Sequence, residues 1–297
     1  MNKRETVAAT TAVCTGLICT GRLIDRHHSR RPIATGGAVG LAAAYMAGTY
    51  LQNLPLFGAV ARPAVAPGDR DFSLTFDDGP DPRHTLAIGK LLAGRSHRGT
   101  FFVLGRAVRQ HPDLIRKLAA DGHEIACHGD DHCLLAFASP RMIVAQLAAW
   151  EDAVEAALGR PGARLVRTPH GVRSPWFVTV ARRRGYAVCG WEGSVFDTAE
   201  PGTARIARRV VSLLRPGAVV LLHDGDGSGH GGSRAQTVAA LDAVLDAADR
   251  KGLRSVTLGS LLAQRAPAAL TLVPERPSQG AAGAAATSLP SGRPVVA

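Results

Sequence analysis

From Asp71 onward, short β-rich runs alternate with stretches that read as helices, and this alternation limits the fold more than any other feature of the chain. The β-rich runs fall at about 72–76, 99–103, 123–127, 164–167, 187–191, 218–222 and 254–258. Between them lie helix-like stretches at 85–93, 112–120, 140–158, 175–184, 203–214 and 234–249. Strands separated by helices call for a parallel sheet, either open or closed into a barrel.

The flanks have a different character. Residues 32–61 carry no charged side chain and are rich in Ala, Gly, Leu and Val, so Ile33 to Leu51 is expected to be a membrane span. The shorter apolar stretch Thr6 to Gly21 reads as a second span or a signal-like element. The basic loop Arg22 to Arg31 between them is expected to stay in the cytoplasm, which would deliver the remainder to the outer face of the cell membrane. The expected organisation is a membrane anchor over 1–61, a linker over 62–70, a catalytic domain over 71–264 and a disordered tail over 265–297.

Charge narrows the partners. The formal net charge is +11, of which residues 1–31 supply +4 through six Lys or Arg against two acids. The remaining arginines are scattered and aromatics are few, so a nucleic-acid interface is not expected. Affinity for anionic envelope polymers or lipid headgroups fits the same balance, and no obligate protein partner is implied. The five cysteines form no CxxC pair or regular framework, which argues against a structural disulfide or a cysteine zinc site.

The polar residues respect the direction of the expected strands. Asp77 and Asp78 follow the first, His128 and His132 the third, Arg167 ends the fourth, Asp197 follows the fifth, and His223 with Asp224 ends the sixth. Carboxyl ends of parallel strands share one face, where sites are assembled. Asp77-Asp78-Gly79-Pro80 alone is good turn chemistry, yet adjacent carboxylates repel unless a positive group sits beside them. His128-Gly-Asp-Asp-His132 spaces two imidazoles one helical turn apart, a pattern that also occurs as a plain surface pair. With Asp78 as a third donor the set becomes two histidines and one carboxylate, the form of a catalytic metal site with open positions. Zinc suits it, as do other divalent ions such as cobalt.

Thr75-Phe-Asp-Asp-Gly-Pro80, His128-Gly-Asp-Asp-His132, Arg167-Thr-Pro-His-Gly171 and Leu221-Leu-His-Asp224, in this order, resemble the motifs of the carbohydrate esterase family 4 deacetylases, the NodB homology domain. The resemblance spans about Asp71 to Leu262. It implies a distorted seven-stranded (β/α) barrel and metal-dependent removal of acetyl groups from N-acetylated sugars. Carried over by position, Asp77 would be the general base, and Asp78, His128 and His132 the metal ligands. Arg167 would orient Asp77, His223 would be the general acid tuned by Asp197, and Leu221 would line the acetyl pocket.

Three positions depart from the family pattern. Gly129 stands where Ser or Thr is usual, His170 replaces a Tyr, and Thr198 follows Asp197 where a Trp is common. The backbone N–H of His170 can still face the oxyanion, and Trp191 or Trp176 can replace the lost aromatic wall or belong to the core. These changes bear on substrate identity more than on catalytic competence. The expected function is a membrane-anchored, extracytoplasmic deacetylase of N-acetylglucosamine-containing glycans such as peptidoglycan or chitooligosaccharides. An O-acetyl carbohydrate esterase and a glycan-binding domain without turnover are the alternatives.

Overall fold

The computed structural model describes residues 32–51, 54–227 and 231–264. Helix α1 (Pro32–Tyr50) comes first. The sheet and its helices follow as β1 (Asp71–Asp77), α2 (Thr85–Gly94), β2 (Gly99–Val103), α3 (Gly105–Gln110), α4 (Pro112–Ala120), β3 (Glu124–Cys127), α5 (Pro140–Leu158), β4 (Leu165–Val166), α6 (Pro175–Arg183), β5 (Ala187–Val188), β6 (Gly193–Ser194), α7 (Thr203–Leu213), β7 (Val219–His223), α8 (Ala235–Arg250), β8 (Arg254–Ser255) and α9 (Leu258–Ala263).

All strand pairs are parallel, in the order β5-β4-β3-β2-β1-β7-β6, with β8 paired to the first residues of β1. The two edges, β5 and β6, are joined by residues 189–192 alone. Such a link reaches at most about 17 Å, so the sheet must curl until its edges nearly meet. The result is a curled, incompletely closed half-barrel with helices outside.

β1 shows how the layers are built. Phe72, Leu74 and Phe76 face outward into the main core with Phe101, Ile115, Trp150 and Val220, while Ser73, Thr75 and Asp77 face inward. The inner layer is small, with Phe102, Ala126, Leu165, Cys189, Val219 and Leu258 at its centre. An inward polar stripe on a central strand is tolerated because it finds partners. Thr75 Oγ1 donates to the Val220 carbonyl at 2.8 Å, and the backbone N–H of Leu74 donates to Ser255 Oγ at 3.0 Å.

Helix boundaries follow their capping residues. Ser139 and Ser174 accept from the N–H groups of Met142 and Phe177, each just before a proline at the first helical position. Several expected strands are shorter than read. The run at 164–167 keeps only β4, the run at 187–191 keeps only β5, and the run at 254–258 stops at Ser255 because Thr257 caps α9, while β6 lies outside every expected run. The sheet therefore has eight strands rather than seven.

The expected membrane span is not borne out. Among the described residues no helix is long and apolar enough to cross a membrane. α1 forms over the expected stretch, but its Gly, Thr and Tyr residues dilute its apolarity. Its C-terminal turn is turned into the protein, with Thr49 buried and its carbonyl accepting the N–H of Arg173 at 3.2 Å. The apolar stretch at 6–21, the basic loop at 22–31 and the tail from 265 lie outside the described residues.

Candidate active site

The carboxyl ends of β1, β3, β4, β6 and β7 bring the expected residues onto one face. Asp77 closes β1 and His223 closes β7, in register with each other. His128 follows β3, Arg167 follows β4, and Asp197 follows β6.

Asp78, His128 and His132 converge, their ligand atoms all within 4.8 Å of one another. His128 Nε2 lies 3.2 Å and His132 Nε2 3.0 Å from Asp78 Oδ1. His128 Nδ1 donates to the Arg167 carbonyl at 2.9 Å, which leaves the Nε2 lone pair facing Asp78. Asp78 Oδ1 is buried and makes no aligned hydrogen bond. Three lone-pair donors aimed at one point, one of them an orphaned carboxylate oxygen, fit a divalent cation. Burial alone would raise the Asp78 carboxyl, but the neighbouring rings of His128 and His132 and the charge of His223 outweigh it and hold the group well below the usual range.

Backbone strain concentrates at these residues. Asp78, His132 and His170 all have positive φ, at 78°, 67° and 59°. Such conformations cost side-chain-bearing residues and persist where the surroundings impose them. Gly129 sits at φ 83°, a conformation that glycine adopts without strain. Its loop is held by Gln146 on α5, whose Oε1 accepts the N–H groups of Asp130 and Asp131 at 2.9 and 3.2 Å.

Asp77 and Arg167 form a buried pair. Arg167 donates to Asp77 Oδ1 at 2.7 Å, to Thr75 Oγ1 at 2.9 Å and to the Gly190 carbonyl at 3.2 Å. Its guanidinium lies over Phe102 at 4.1 Å and near Trp191 at 5.4 Å. Asp77 Oδ2 is then left toward the ligand cluster, 3.9 Å from His128 Nε2. Trp191 packs against the inner core, with its ring 5.4 Å from the Arg167 guanidinium. Trp176 is exposed rather than core.

His223 and Asp197 form a second pair. His223 Nδ1 donates to Asp197 Oδ1 at 2.8 Å, and Asp197 Oδ2 accepts the His223 N–H at 2.8 Å and Thr237 Oγ1 at 3.0 Å. Burial opposes a charged His223 ring, but Asp197 and, more weakly, Asp78 and Asp77 overcome it and raise the group to about 9. Leu221 is buried on the same inner face of β7, two residues before His223.

Arg106 and Gly227 carry no sequence signal, whereas Asp224 closes the last of the four motifs. Asp224 is buried behind the Gly79 turn, where a Cβ would come within 2.0 Å of its Oδ2. Burial and the nearby Asp78 and Asp77 charges push its carboxyl up to about 7, and Thr85 Oγ1 donates to it at 2.5 Å. The open cleft over the ligands is lined by Asp78, His132, His170, Thr198, Arg106 and Gly227, among others. His170 contributes its side chain there, with Nε2 3.1 Å from the His132 carbonyl and the two rings 4.3 Å apart.

The approach of Gly227 is close. A Cβ would meet the His132 ring at 2.7 Å and Asp78 Oδ1 at 2.8 Å. Arg106 fixes this backbone by donating to the Gly227 carbonyl at 2.6 Å. Gly227→Ala is therefore expected to weaken metal affinity by about 10–100-fold, as loss of outer support at a metal site does. Competition against a chromophoric chelator measures this, and unchanged affinity would contradict the packing.

Comparisons agree with this geometry. Residues 64–189 match the family model described as polysaccharide deacetylase. A chitooligosaccharide deacetylase of Bradyrhizobium sp. is 35% identical over 207 residues, covering 68% of this chain and 94% of that protein. A peptidoglycan-N-acetylglucosamine deacetylase of Bacillus cereus is 32% identical, covering 67% of this chain and 91% of its own. The solved peptidoglycan deacetylase PdaC of Bacillus subtilis superposes with a TM-score of 0.59 at 27% identity, over 66% of this chain and 92% of that one. With its motifs gathered on one face of a half-barrel and relatives matched along nearly their whole length, the chain belongs to the carbohydrate esterase family 4 polysaccharide deacetylases, hydrolases of the amide bond in acetylated glycans.

Proposed function

We propose that this protein is a divalent-metal-dependent deacetylase that removes N-acetyl groups from N-acetylglucosamine-containing glycans, with peptidoglycan or chitooligosaccharides as substrate. The observation that carries the reading is the convergence of three metal donors with two separate proton-handling pairs, Asp77–Arg167 and His223–Asp197. The named activities of the relatives support the substrate class. Peptidoglycan lies outside the cytoplasmic membrane, so we place the working enzyme there.

A cation held by Asp78, His128 and His132, for which we favour zinc, would supply Lewis acidity toward water and the amide carbonyl. The protein's own groups handle the protons. Asp77 Oδ1 is engaged by Arg167, so Oδ2 takes the proton of the attacking water. His223 gives its Nε2 proton to the departing amine, with Nδ1 tied to Asp197 so that the ring holds one orientation.

The ion-paired His223 also bears on the choice between amide and ester. An amine leaves only when protonated, whereas the alkoxide of an O-acetyl ester departs more readily. A histidine held charged by a buried carboxylate suits the amide. Acetate release from matched N-acetylated and O-acetylated sugars tests this, and release from the O-acetylated sugar with none from its N-acetylated partner would reverse the assignment. A glycan-binding role without turnover would give no acetate from either.

The pH profile follows from the same pair. His223 must be protonated to act, and Asp197 raises its pKa to about 9. A bound dication repels the imidazolium, so the alkaline fall in kcat lies at or below that pH. Asp197→Asn removes the raising influence and is expected to move the alkaline limb downward. A limb that stays in place would remove His223 from the acid role.

A further inference from the structure

We propose that residues 48–51 and 54–61, N-terminal to the first strand, brace Arg167, the partner that orients Asp77, and that Arg173 is a positioning residue for Arg167. The inference rests on the reading that Asp77 and Arg167 serve the chemistry.

The brace has two attachments. One lies at the end of the active-site loop that begins with Arg167 and carries His170. Arg173 is buried, and its Nη2 donates to the carbonyls of Gly48, Leu51 and Leu54 at 3.3, 2.6 and 3.4 Å. Its backbone N–H donates to the Thr49 carbonyl at 3.2 Å. These carbonyls belong to the C-terminal turn of α1 and the chain just beyond it. Such groups lack intrahelical partners and form the negative end of the helix dipole. Among the described residues no carboxylate pairs with Arg173, whose charge meets only the cost of burial and whose Nε has no partner, so these carbonyls are what the buried cation has to answer its charge. Burying a guanidinium against carbonyls alone is costly, and a plain loop would not require it.

The other attachment lies at the edge of the sheet. The N–H of Ala61 donates to the Val188 carbonyl at 2.8 Å, and Ala61 bridges Cys189 in parallel. Cys189 in turn donates its N–H to the Val166 carbonyl, and the next residue, Gly190, offers the carbonyl that accepts from Arg167 Nη2. Aromatic packing ties the two attachments together. Tyr45 and Phe57 lie 5.3 Å apart, and Phe57 packs on the main core. The same segment thus reaches Arg167 from both sides, through its own loop and through one of its three acceptors.

The test uses the full chain with Arg173→Ala, Arg173→Lys and Ala61→Pro, the last removing the N–H that reaches Val188. Turnover of a chitooligosaccharide, bound metal and amide hydrogen exchange are measured well below the melting temperature. We expect kcat to fall about 10–100-fold in Arg173→Ala and Ala61→Pro with KM and metal content unchanged, because misplacement of a catalytic group costs rate. Arg173→Lys should recover part of the loss. The amides of Arg167 and Gly171 should exchange faster in the two impaired variants, while those of β1 do not.

A lowered melting temperature with kcat of the folded protein unchanged would overturn the proposal, since a merely structural contact does that. Unchanged exchange at Arg167 and Gly171 would overturn it too. Exchange is read without turnover, so an inactive wild type with faster exchange in the variants leaves the brace standing and removes only the functional reading. If Arg173→Ala fails to fold, Ala61→Pro and Arg173→Lys decide.

Discussion

His132→Ala is expected to abolish acetate release and to leave the purified protein depleted of divalent metal, with His128→Ala and Asp78→Ala behaving alike. The three donors are within 4.8 Å of one another, and no fourth protein ligand joins them among the described residues. Removing one leaves two, too few for a stable catalytic site. The fold should survive, because these side chains sit at strand ends outside both apolar cores. Asp78→Ala should not relieve backbone strain, since Ala at φ 78° is less well suited than Asp. Elemental analysis and circular dichroism of the three variants check this. Full metal content with full activity in His132→Ala would sink the ligand assignment.

Asp77→Asn should separate the neighbouring carboxylates. It keeps the shape and leaves Asp78 free to bind metal, but it removes the acceptor for the water proton. Activity is expected to fall by roughly 10²–10⁴-fold, the usual worth of a positioned general base. Metal content should remain near that of wild type. The substitution also uncouples Arg167, which is buried and donates to Asp77 at 2.7 Å, so a drop in melting temperature should accompany it. Kinetics and elemental analysis on one preparation decide. Loss of metal from Asp77→Asn and retention in Asp78→Asn would mean that the roles are exchanged.

Much of the site was legible because parallel strands impose direction. Asp77, Asp78, His128, His132, Arg167 and His223 stand where apolar runs end, and such runs share one face once they pair in parallel. The helices expected from 140 and 175 begin where read, each at a proline whose preceding serine caps the helix, which is local chemistry. β6 was not legible, because two residues cannot display a period.

Partners far apart in sequence were hidden for another reason. Thr237 on α8 donates to Asp197, and Gln146 on α5 holds the ligand loop, yet each looks like an ordinary polar residue on a helix. Gly227 reads as one of many glycines until its distance to His132 is known. The misjudged span at 33–51 came from an absence of charge, which a helix packed by its end against a buried arginine also shows.

The central claim is that the chain is a metal-dependent N-deacetylase, and its most direct test is acetate release by metal-stripped protein as zinc is returned. Purified full-length chain, depleted with a chelator, is given an N-acetylated chitooligosaccharide while zinc is titrated in. The account predicts no acetate from the stripped protein and recovery that saturates at one zinc per chain, with the His132→Ala protein inert throughout. Acetate release that is indifferent to complete metal removal, or none at full occupancy, would contradict it.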